Sequence, residues 1–566
     1  MPGIIHNTAH LTGPTRAILD EITPWWTETP GGAVLCLCQG LHDLGILLPR
    51  LPQPSILLLL LTDCAVLAHW NSAGACGQCL LHWLAITQFH RQSAPETPPV
   101  SFTRAIVDLL RSQRDGAPLS PRTVTVLPYD TAKAARHFVF PRRNCPACSG
   151  NPPSGELPLQ VHCSPVTGIV DRVEVSAAPS AGAFRAHAVW NSPLPVNRAR
   201  PFLRRQASYG RGRTAAEAVD GAIGEALERY SLIYRGDEPL LRARASDLDI
   251  LHPDSIQLYS AAQHAQRAHW NALPDEIFHI PDPFEPGRPV DWLEARDLHG
   301  GSARYVPAAC CLMWYQFQPG EPRFASADTI GCGSGRSFDD ALAHALLEWI
   351  ERDAMSLWWY NRAPRPAIRL ESFEDPQLLA AAESLRAIGR RLYLLDCTTD
   401  FGIPVYVSVA PRLDGSEILF ASAAHPSPRV AAWKAASEAA QVWTTAQTTG
   451  RLPDSLRPWL LKETISTQPY LEPHGEVDAP PEPPPLTTRE QITLILERLQ
   501  AAGLRAYAVD QSRPDVLLHT ARAIVPGLRH IWNRRAPGRL YDIPPRLGWL
   551  PAPLTEDELN PICCMI

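Results

Sequence analysis

Two stretches of the chain carry the same pattern of small, apolar and acidic positions. The first runs Gly210-Arg-Gly-Arg-Thr214, then Ala218, Ala222, Glu225, Glu228 and Arg229. The second runs Gly333-Ser-Gly-Arg-Ser337, then Ala341, Ala345, Glu348, Glu351 and Arg352. Every matched pair is 123 residues apart, from Gly210 and Gly333 through Glu228 and Glu351. Val219, Ile223, Leu227 and Tyr230, and then Leu342, Leu346 and Ile350, recur at helical spacing and predict core-facing stripes. Thr214 with Glu217, and more weakly Ser337 with Asp340, have the spacing of a capping box that starts a helix. The two glutamates of each copy, at i and i+3, then project together from another face. Ala218, Gly221 and Ala222 surround Glu225, and Ala341, His344 and Ala345 surround Glu348, so a ligand has room to approach. The competing reading is an intrahelical ion pair in each copy, Glu225 with Arg229 and Glu348 with Arg352. The duplication favours a site between two related halves, where carboxylates hold metal ions against an anionic ligand. A fainter third copy starts at Ser427, eleven positions before Glu438, with Gln441 standing where Glu228 stands. It lacks the glycines and reads equally as an alanine-rich core helix.

The rest of the pattern alternates. The aliphatic run 56–61 predicts a buried strand and is far too short to span a bilayer. A helix near 376–388 precedes strands at 391–396 and 404–410. A helix at 489–502 precedes a strand at 504–509. The proline-dense stretch 473–485 is a surface loop or stiff spacer, and 149–155 is a linker. Such alternation predicts an α/β fold. At 566 residues the chain should hold more than one domain. Residues 1–155 are expected to form a smaller, leucine- and cysteine-rich α/β domain, and 160–566 an α/β domain with internally duplicated helix/sheet halves.

Charge narrows the functions. Fifty-two basic residues stand against 58 acidic ones, a formal net charge of −6, and no basic surface suited to nucleic acid is visible. Lysine occurs only at 133, 434 and 462. The N-terminus lacks a basic region followed by an apolar one, so the expected location is the cytoplasm, without a membrane partner. In that setting fourteen cysteines point to thiols and metal rather than disulfides. Cys76-Gly-Gln-Cys79 and Cys145-Pro-Ala-Cys148 form two knuckles that together make a tetrahedral structural zinc site. A redox dithiol or unrelated core cysteines are the alternatives. The terminal Cys563-Cys564-Met565-Ile566 has the outline of a prenylation box, but no polybasic segment precedes it.

Several motifs together are identified as those of the YcaO domain, the ATP-dependent enzyme of azoline-forming peptide maturation. They are Ser164-Pro-Val-Thr-Gly168, Gly224-Glu-Ala-Leu-Glu-Arg-Tyr230 and His344-Ala-Leu-Leu-Glu-Trp-Ile-Glu-Arg-Asp353. Glu438-Ala-Ala-Gln441, Pro526-Gly-Leu-Arg-His530 and Gly538-Arg-Leu-Tyr-Asp542 follow in family order. Residues 1–155 resemble, on the knuckles alone, the zinc-bearing end of an E1-like (ThiF-like) domain often fused to such enzymes. The resemblance implies cyclodehydration of Cys, Ser or Thr in a ribosomal precursor peptide to thiazolines or oxazolines, as in bacteriocin or thiopeptide antibiotic biosynthesis. It implies ATP and Mg²⁺, with Glu225, Glu228, Glu348 and Glu351 holding the metal. Arg211, His344, Gln441 and Arg529 would contact the nucleotide.

The sequence departs from that family at four places. Arg211 stands where a phosphate-binding lysine is usual, Gly221 where a serine is common, and Trp443 where an arginine often follows. The tail, ending at Ile566, lacks the Pro-x-Pro-x-Pro that commonly reaches the active site, which leaves the general base unassigned. No complete leader-binding winged helix is evident. A separate leader-binding protein is therefore expected, with a flavin-dependent dehydrogenase and a homodimer as further partners. Two alternatives stand beside cyclodehydration: a non-catalytic scaffold that docks peptide, and ATP-dependent backbone thioamidation or amidine formation.

Overall fold

The computed structural model describes residues 157–177, 184–193, 205–273, 279–449 and 457–564. Before these it describes residues 5–6, 18, 20–21, 23, 34–39, 55–61, 64–70, 76–87, 100–115, 122–128 and 133–143, together with 145 and 148. Two compact units emerge. One comprises Met1–Glu174, His187–Ser208 and Arg513–Leu517; the other comprises Val175–Ala186, Tyr209–Ser512 and Leu518–Ile566. The linker expected at 149–155 lies outside the described residues.

The first unit holds a six-stranded sheet whose strands lie in chain order: Ile5–His6, Val34–Gln39, Ser55–Leu60, Cys64–Trp70, Thr123–Pro128 and Ala135–Phe138. The first three are parallel and the rest antiparallel. Residues 56 to 60 are all buried, odd and even alike, so both faces of this strand are covered. That is why its sequence is continuously apolar instead of alternating. Phe102, Ile106 and Leu110 of the helix Val100–Asp115 pack on one face.

The second unit contains two sheets. The first has the order Leu241–Ala243, Val290–Asp297, Tyr507–Asp510, His519–Ile524, Cys332–Gly335, with Arg304–Pro307 beside Val290–Asp297. The second runs Leu419–Ala424, Val405–Ala410, Tyr393–Asp396, Ala367–Ile368, Glu476–Val477. The last of these is a two-residue edge strand within the proline-dense stretch expected to be loop; it pairs parallel with Ala367–Ile368. The strand expected at 504–509 begins later, at Tyr507.

Three strand–helix units position the acidic residues. In the first, β1 (Arg205–Gly212) leads into α1 (Ala215–Leu232). In the second, β2 (Cys332–Gly335) leads into α2 (Phe338–Asn361). In the third, β3 (Leu419–Ala424) leads into α3 (Pro428–Thr449), and the Ser427 hydroxyl accepts the Val430 N–H at the helix start. Helix α2 is central: Leu346 and Ile350 share a core with Ala521 and Ala523 of one sheet and Val405, Val407 and Val409 of the other. The strand Val405–Ala410 alternates, turning Tyr406 to the opposite face against Ala431 and Ala435 of α3.

The caps reverse the expected ranking. Ser337 and Asp340 make the complete reciprocal box. Thr214 accepts the Glu217 N–H at 3.2 Å, but the Glu217 carboxylate passes over the cap residue to the Arg213 N–H at 2.8 Å. Glutamate as such is not the reason, since Glu490 and Glu558 close the box onto Thr487 and Thr555.

The small residues also serve a different purpose from the expected one. A Cβ on Gly210 would lie 2.0 Å from the Ala218 carbonyl oxygen and 2.3 Å from the Ala222 nitrogen. One on Gly333 would lie 2.4 Å and 2.7 Å from the equivalent atoms of Ala341 and Ala345. Gly212 and Gly335 are closed in by Glu217 and Asp340 in the same way. Ala218, Ala222, Ala341 and Ala345 are fully buried. They admit the preceding strand, not a ligand.

Gly333→Ala should therefore lose about 1–3 kcal/mol or more in urea unfolding, since backbone must shift to admit the methyl. Gly221→Ala, in mid-helix with its nearest neighbour 3.4 Å away, should be neutral or gain up to about 1 kcal/mol. Equal effects at the two positions would contradict this account of the repeat.

Candidate active site

The three strand–helix units of the second unit bring five carboxylates among five cations. Glu225 accepts the Tyr209 N–H at 2.9 Å and Arg229 at 3.3 Å. Glu348 accepts the Gly331 N–H at 3.0 Å and Arg352 at 3.4 Å. Each copy thus holds its first glutamate between a backbone N–H beside the preceding strand and its own i+4 arginine. Arg352 also donates to Glu351, whose other support is the Ser422 hydroxyl of β3 at 2.6 Å. Glu438 of α3 accepts from Arg211 of β1 at 2.7 Å. Glu228 and Glu348 repel one another across the two copies, and Arg522 lies beside both. Lys434 completes the array next to Arg211, Glu351 and Glu438.

The intrahelical ion pairs therefore form, yet they engage only part of the acid set. The side chains of Glu225, Glu348, Glu351 and Glu438 keep 34%, 23%, 15% and 27% of their surface. They are enclosed by protein while still reachable, as groups lining a recess are. Enclosure disfavours the charge of Glu228, Glu348 and Glu351. Desolvation, the largest cause in each case, pushes Glu228 up to about 6 and Glu348 up to about 7, and raises Glu351. Repulsion from Glu225 adds to it at Glu228 and repulsion from Glu228 adds to it at Glu348, while Arg229 and Arg352 respectively oppose it. Carboxylates so disfavoured gain from an added cation. Their hard oxygens suit Mg²⁺, and their spacing is open: among the described residues they form no group as tight as the cysteines below. Mg²⁺ uses one or two carboxylates together with substrate phosphates, so a preformed tight cage is not required.

Lys434, Ser422 and Arg522 were missed in the sequence. Lys434 lies in the alanine-rich pattern that also reads as core, although its rarity was a signal. Ser422 sits in a strand with no motif. Glu438 was visible in the faint third copy and in the Glu438-Ala-Ala-Gln441 motif, but with no role assigned to it.

His344 is exposed one turn before Glu348. Its Nδ1 lies 2.9 Å from the Ser334 carbonyl. A carbonyl only accepts, so Nδ1 carries the hydrogen and Nε2 keeps its lone pair. Arg529 is not brought to the glutamates. It is 1% exposed, donates to the Arg534 carbonyl at 2.7 Å, and its N–H meets the buried carboxylate of Asp353 at 2.8 Å. Asp353 is also held by Arg539 at 2.7 Å. These contacts hold Arg529 inside the protein. The side chains of Gln441 and Trp443, and Ile566, lie outside the described residues. Before Ile566 the tail is strapped to α2: Trp359 Nε1 donates to the Ile562 carbonyl and the Asn560 N–H to the Tyr360 carbonyl, both at 2.7 Å. Cys563 and Cys564 are buried, which does not suit a lipid acceptor. In the first unit the Ser164 hydroxyl accepts the Val166 and Thr167 N–H groups in a local turn, and the Thr167 hydroxyl donates to the Phe138 carbonyl at 2.7 Å.

In the first unit the ligand atoms of Cys76, Cys79, Cys145 and Cys148 all lie within 4.8 Å of one another, an arrangement that could hold a metal ion. Cys76–Cys145 and Cys79–Cys148 sulfur separations are both 3.6 Å, close to the edge of about 3.8 Å expected for a tetrahedron with bonds of about 2.3 Å. The Arg142 N–H points at the Cys79 sulfur from 3.3 Å, a bond that would stabilise a thiolate.

The model of a protein family described as YcaO cyclodehydratase, ATP- and Mg²⁺-binding, matches residues 209–529. The chain belongs to the YcaO family. A heterocyclase solved in complex with substrate and cofactor superposes on this YcaO chain with a TM-score of 0.86 and 25% identity, covering 99% of this chain and 85% of that one. The heterocyclase TruD superposes with a TM-score of 0.73 and 25% identity, over 99% of this chain and 83% of its own. An uncharacterized protein of Methanothermobacter thermautotrophicus is 27% identical over 333 residues, 56% of this chain and 80% of that protein. An uncharacterized protein in the tfuA 3′ region of Rhizobium leguminosarum bv. trifolii is 29% identical over 300 residues, 50% of this chain and 70% of its own. The heterocyclase superpositions take in the cysteine-bearing residues, whereas the family match begins at Tyr209. Among the described residues no helix is long and apolar enough to cross a membrane.

The raised carboxylates make a signed prediction. A carboxyl group whose folded pKa lies above its unfolded value binds its proton more tightly when folded, so stability falls as pH rises from about 4.5 towards about 7. Without divalent cations, this YcaO protein should lose on the order of 3 kcal/mol at most from Glu348 across that window. Melting curves of Glu348→Gln should show a flatter pH dependence than the parent; equal slopes would contradict the desolvation of this site.

Proposed function

We propose that this YcaO chain is an ATP-dependent peptide cyclodehydratase, converting Cys, Ser or Thr of a ribosomal precursor peptide into thiazoline or oxazoline. The observation that carries this is the carboxylate array, assembled from three helices in a chain of heterocyclase fold. In such a reaction a side-chain thiol or hydroxyl attacks the preceding amide carbon. The amide oxygen takes the γ-phosphoryl group of ATP and leaves as phosphate, closing the ring with net loss of one water. Glu225, Glu228, Glu348 and Glu351 would hold magnesium, and the desolvation of Glu228, Glu348 and Glu351 supports that role. Magnesium, when bound, would neutralise the triphosphate during transfer. Arg211 would meet phosphate with a planar fork where a lysine offers a point charge. His344 would offer Nε2 as an acceptor to the nucleotide, and Gln441 is assigned to it by family resemblance. Arg529 would act indirectly, bracing the loop against Asp353. Ser422 and Arg352 would orient Glu351. The Cys564 thiol lies close enough to Arg352 for their charges to interact, and the tail is the candidate source of the general base.

The test is reconstitution with a precursor peptide and a leader-binding partner, reading loss of about 18 Da per ring. The partner should lower the apparent KM, and a flavin-dependent dehydrogenase would act after ring closure. Glu228→Gln and Glu351→Gln should abolish peptide-dependent phosphate release while the melting temperature stays near that of the parent. Unchanged turnover in both variants would reject the metal assignment. A scaffold reading has one observation in its favour: Arg211 is already engaged by Glu438. Absence of ATP binding, with peptide still bound, would decide for it.

In the N-terminal residues, which resemble part of an E1-like domain, the four cysteines would bind one structural zinc. A closed tetrathiolate site braces the fold and leaves no position for catalysis. Protein purified under reducing conditions should contain one zinc per chain, and Cys145→Ser should lower stability more than it changes the chemical step. Metal-free protein of full stability would count against the site.

A further inference from the structure

One ion pair of the array is neither local nor repeated. Arg229–Glu225 and Arg352–Glu348 are i,i+4 pairs at 3.3 Å and 3.4 Å. Arg211–Glu438 joins β1 to α3 across 227 residues of chain, at 2.7 Å. The duplication breaks at this point. The position in β2 equivalent to Arg211 is Ser334, an uncharged residue whose hydroxyl donates to the Gly224 carbonyl at 3.4 Å and also supports Glu228. Both members of the Arg211 pair are roughly three-quarters buried, with side-chain exposures of 28% and 27%. Lys434 and Glu351 lie beside them, so two cations face two carboxylates at this end of the array.

We infer that Arg211 is a resident counter-ion of Glu438, which a divalent cation must displace, so that metal capture by Glu438 releases Arg211 to the nucleotide phosphates. This rests on the nucleotide and metal reading above. Each ligand then removes an obstacle to the other. Bare metal must compete with a guanidinium already seated on the carboxylate. Metal-free nucleotide finds the guanidinium engaged. Bound together, the metal takes the carboxylate and the phosphate takes the guanidinium, and the two bind with positive coupling. Arg211 is in this sense a positioning residue for Glu438 before it is a ligand of phosphate. The arrangement also keeps Glu438 from standing as an unpaired, half-buried charge, which is costly.

The full chain is titrated with Mn²⁺ alone, and separately with a non-hydrolysable ATP analogue in chelator, by calorimetry. Arg211→Met should bind Mn²⁺ at least about fivefold more tightly than the parent, and the analogue more weakly. Arg211→Lys should stay near the parent for Mn²⁺. Glu438→Gln, which frees the guanidinium from the other side, should bind the metal-free analogue more tightly than the parent. This second variant keeps the inference testable if Arg211→Met fails to fold. A fold defect alone would weaken both ligands together; opposite signs are particular to a displaced counter-ion. If the parent binds both ligands but Mn²⁺ is not tightened by Arg211→Met, or the analogue is not tightened by Glu438→Gln, the counter-ion inference falls and the nucleotide reading stands. If the parent binds neither Mn²⁺, nor the analogue, nor the two together, both fall.

Discussion

The second unit depends on how closely a strand can approach the helix that follows it. At Gly210, Gly212, Gly333 and Gly335 an added Cβ would collide with that helix. The approach is what lets the N–H groups of Tyr209 and Gly331 reach the carboxylates of Glu225 and Glu348. A strand bearing side chains at those positions would stand off, and the first glutamate of each pair would lose its backbone support. The same constraint explains the buried alanines, because only a small residue leaves the helix surface open to another backbone. It also fixes where the second glutamate points, since i and i+3 share a face.

Once two such helices and a third are brought together, crowded negative charge becomes the problem. Five carboxylates share the recess with Arg211, Arg229, Arg352, Lys434 and Arg522. The balance is even in number but incomplete in effect. Glu228 and Glu348 rise to about 6 and about 7, burial being the larger cause and repulsion from Glu225 and Glu228 respectively a further one. A site with cations enough to fold, and desolvation enough to favour a further cation, is poised for ligands that bring both signs. A magnesium–triphosphate complex is such a ligand.

Much of this was legible in the residues, for identifiable reasons. The 123-residue repeat marks both helices, their caps and their acid pairs, because close packing restricts the same positions twice. The gathering of Cys76, Cys79, Cys145 and Cys148 into a cluster that could hold a metal ion was legible because the spacing within each knuckle is local. What escaped notice depends on contacts distant in sequence. Ser422 meets Glu351 across 71 residues and Arg211 meets Glu438 across 227; neither serine nor arginine carries a local mark of its partner. Arg529 shows how little a motif says about burial. A motif placed it near phosphate, while its buried environment ties it to Asp353 and Arg534. The small residues were read as room for a ligand because spacing alone does not say which backbone fills the gap. The strand–helix order and the unbroken burial of residues 56 to 60 followed from periodicity and needed no motif.

The central claim is that the two acid pairs and Glu438 enclose one metal–nucleotide site. Crystals of the full chain grown with Mn²⁺ and a non-hydrolysable ATP analogue test it directly through the anomalous signal of manganese. The account predicts anomalous peaks within bonding distance of carboxylate oxygens from both α1 and α2, with the phosphate chain between them. Manganese and nucleotide bound elsewhere, with Glu225, Glu228, Glu348 and Glu351 still facing only their arginines and backbone, would contradict it.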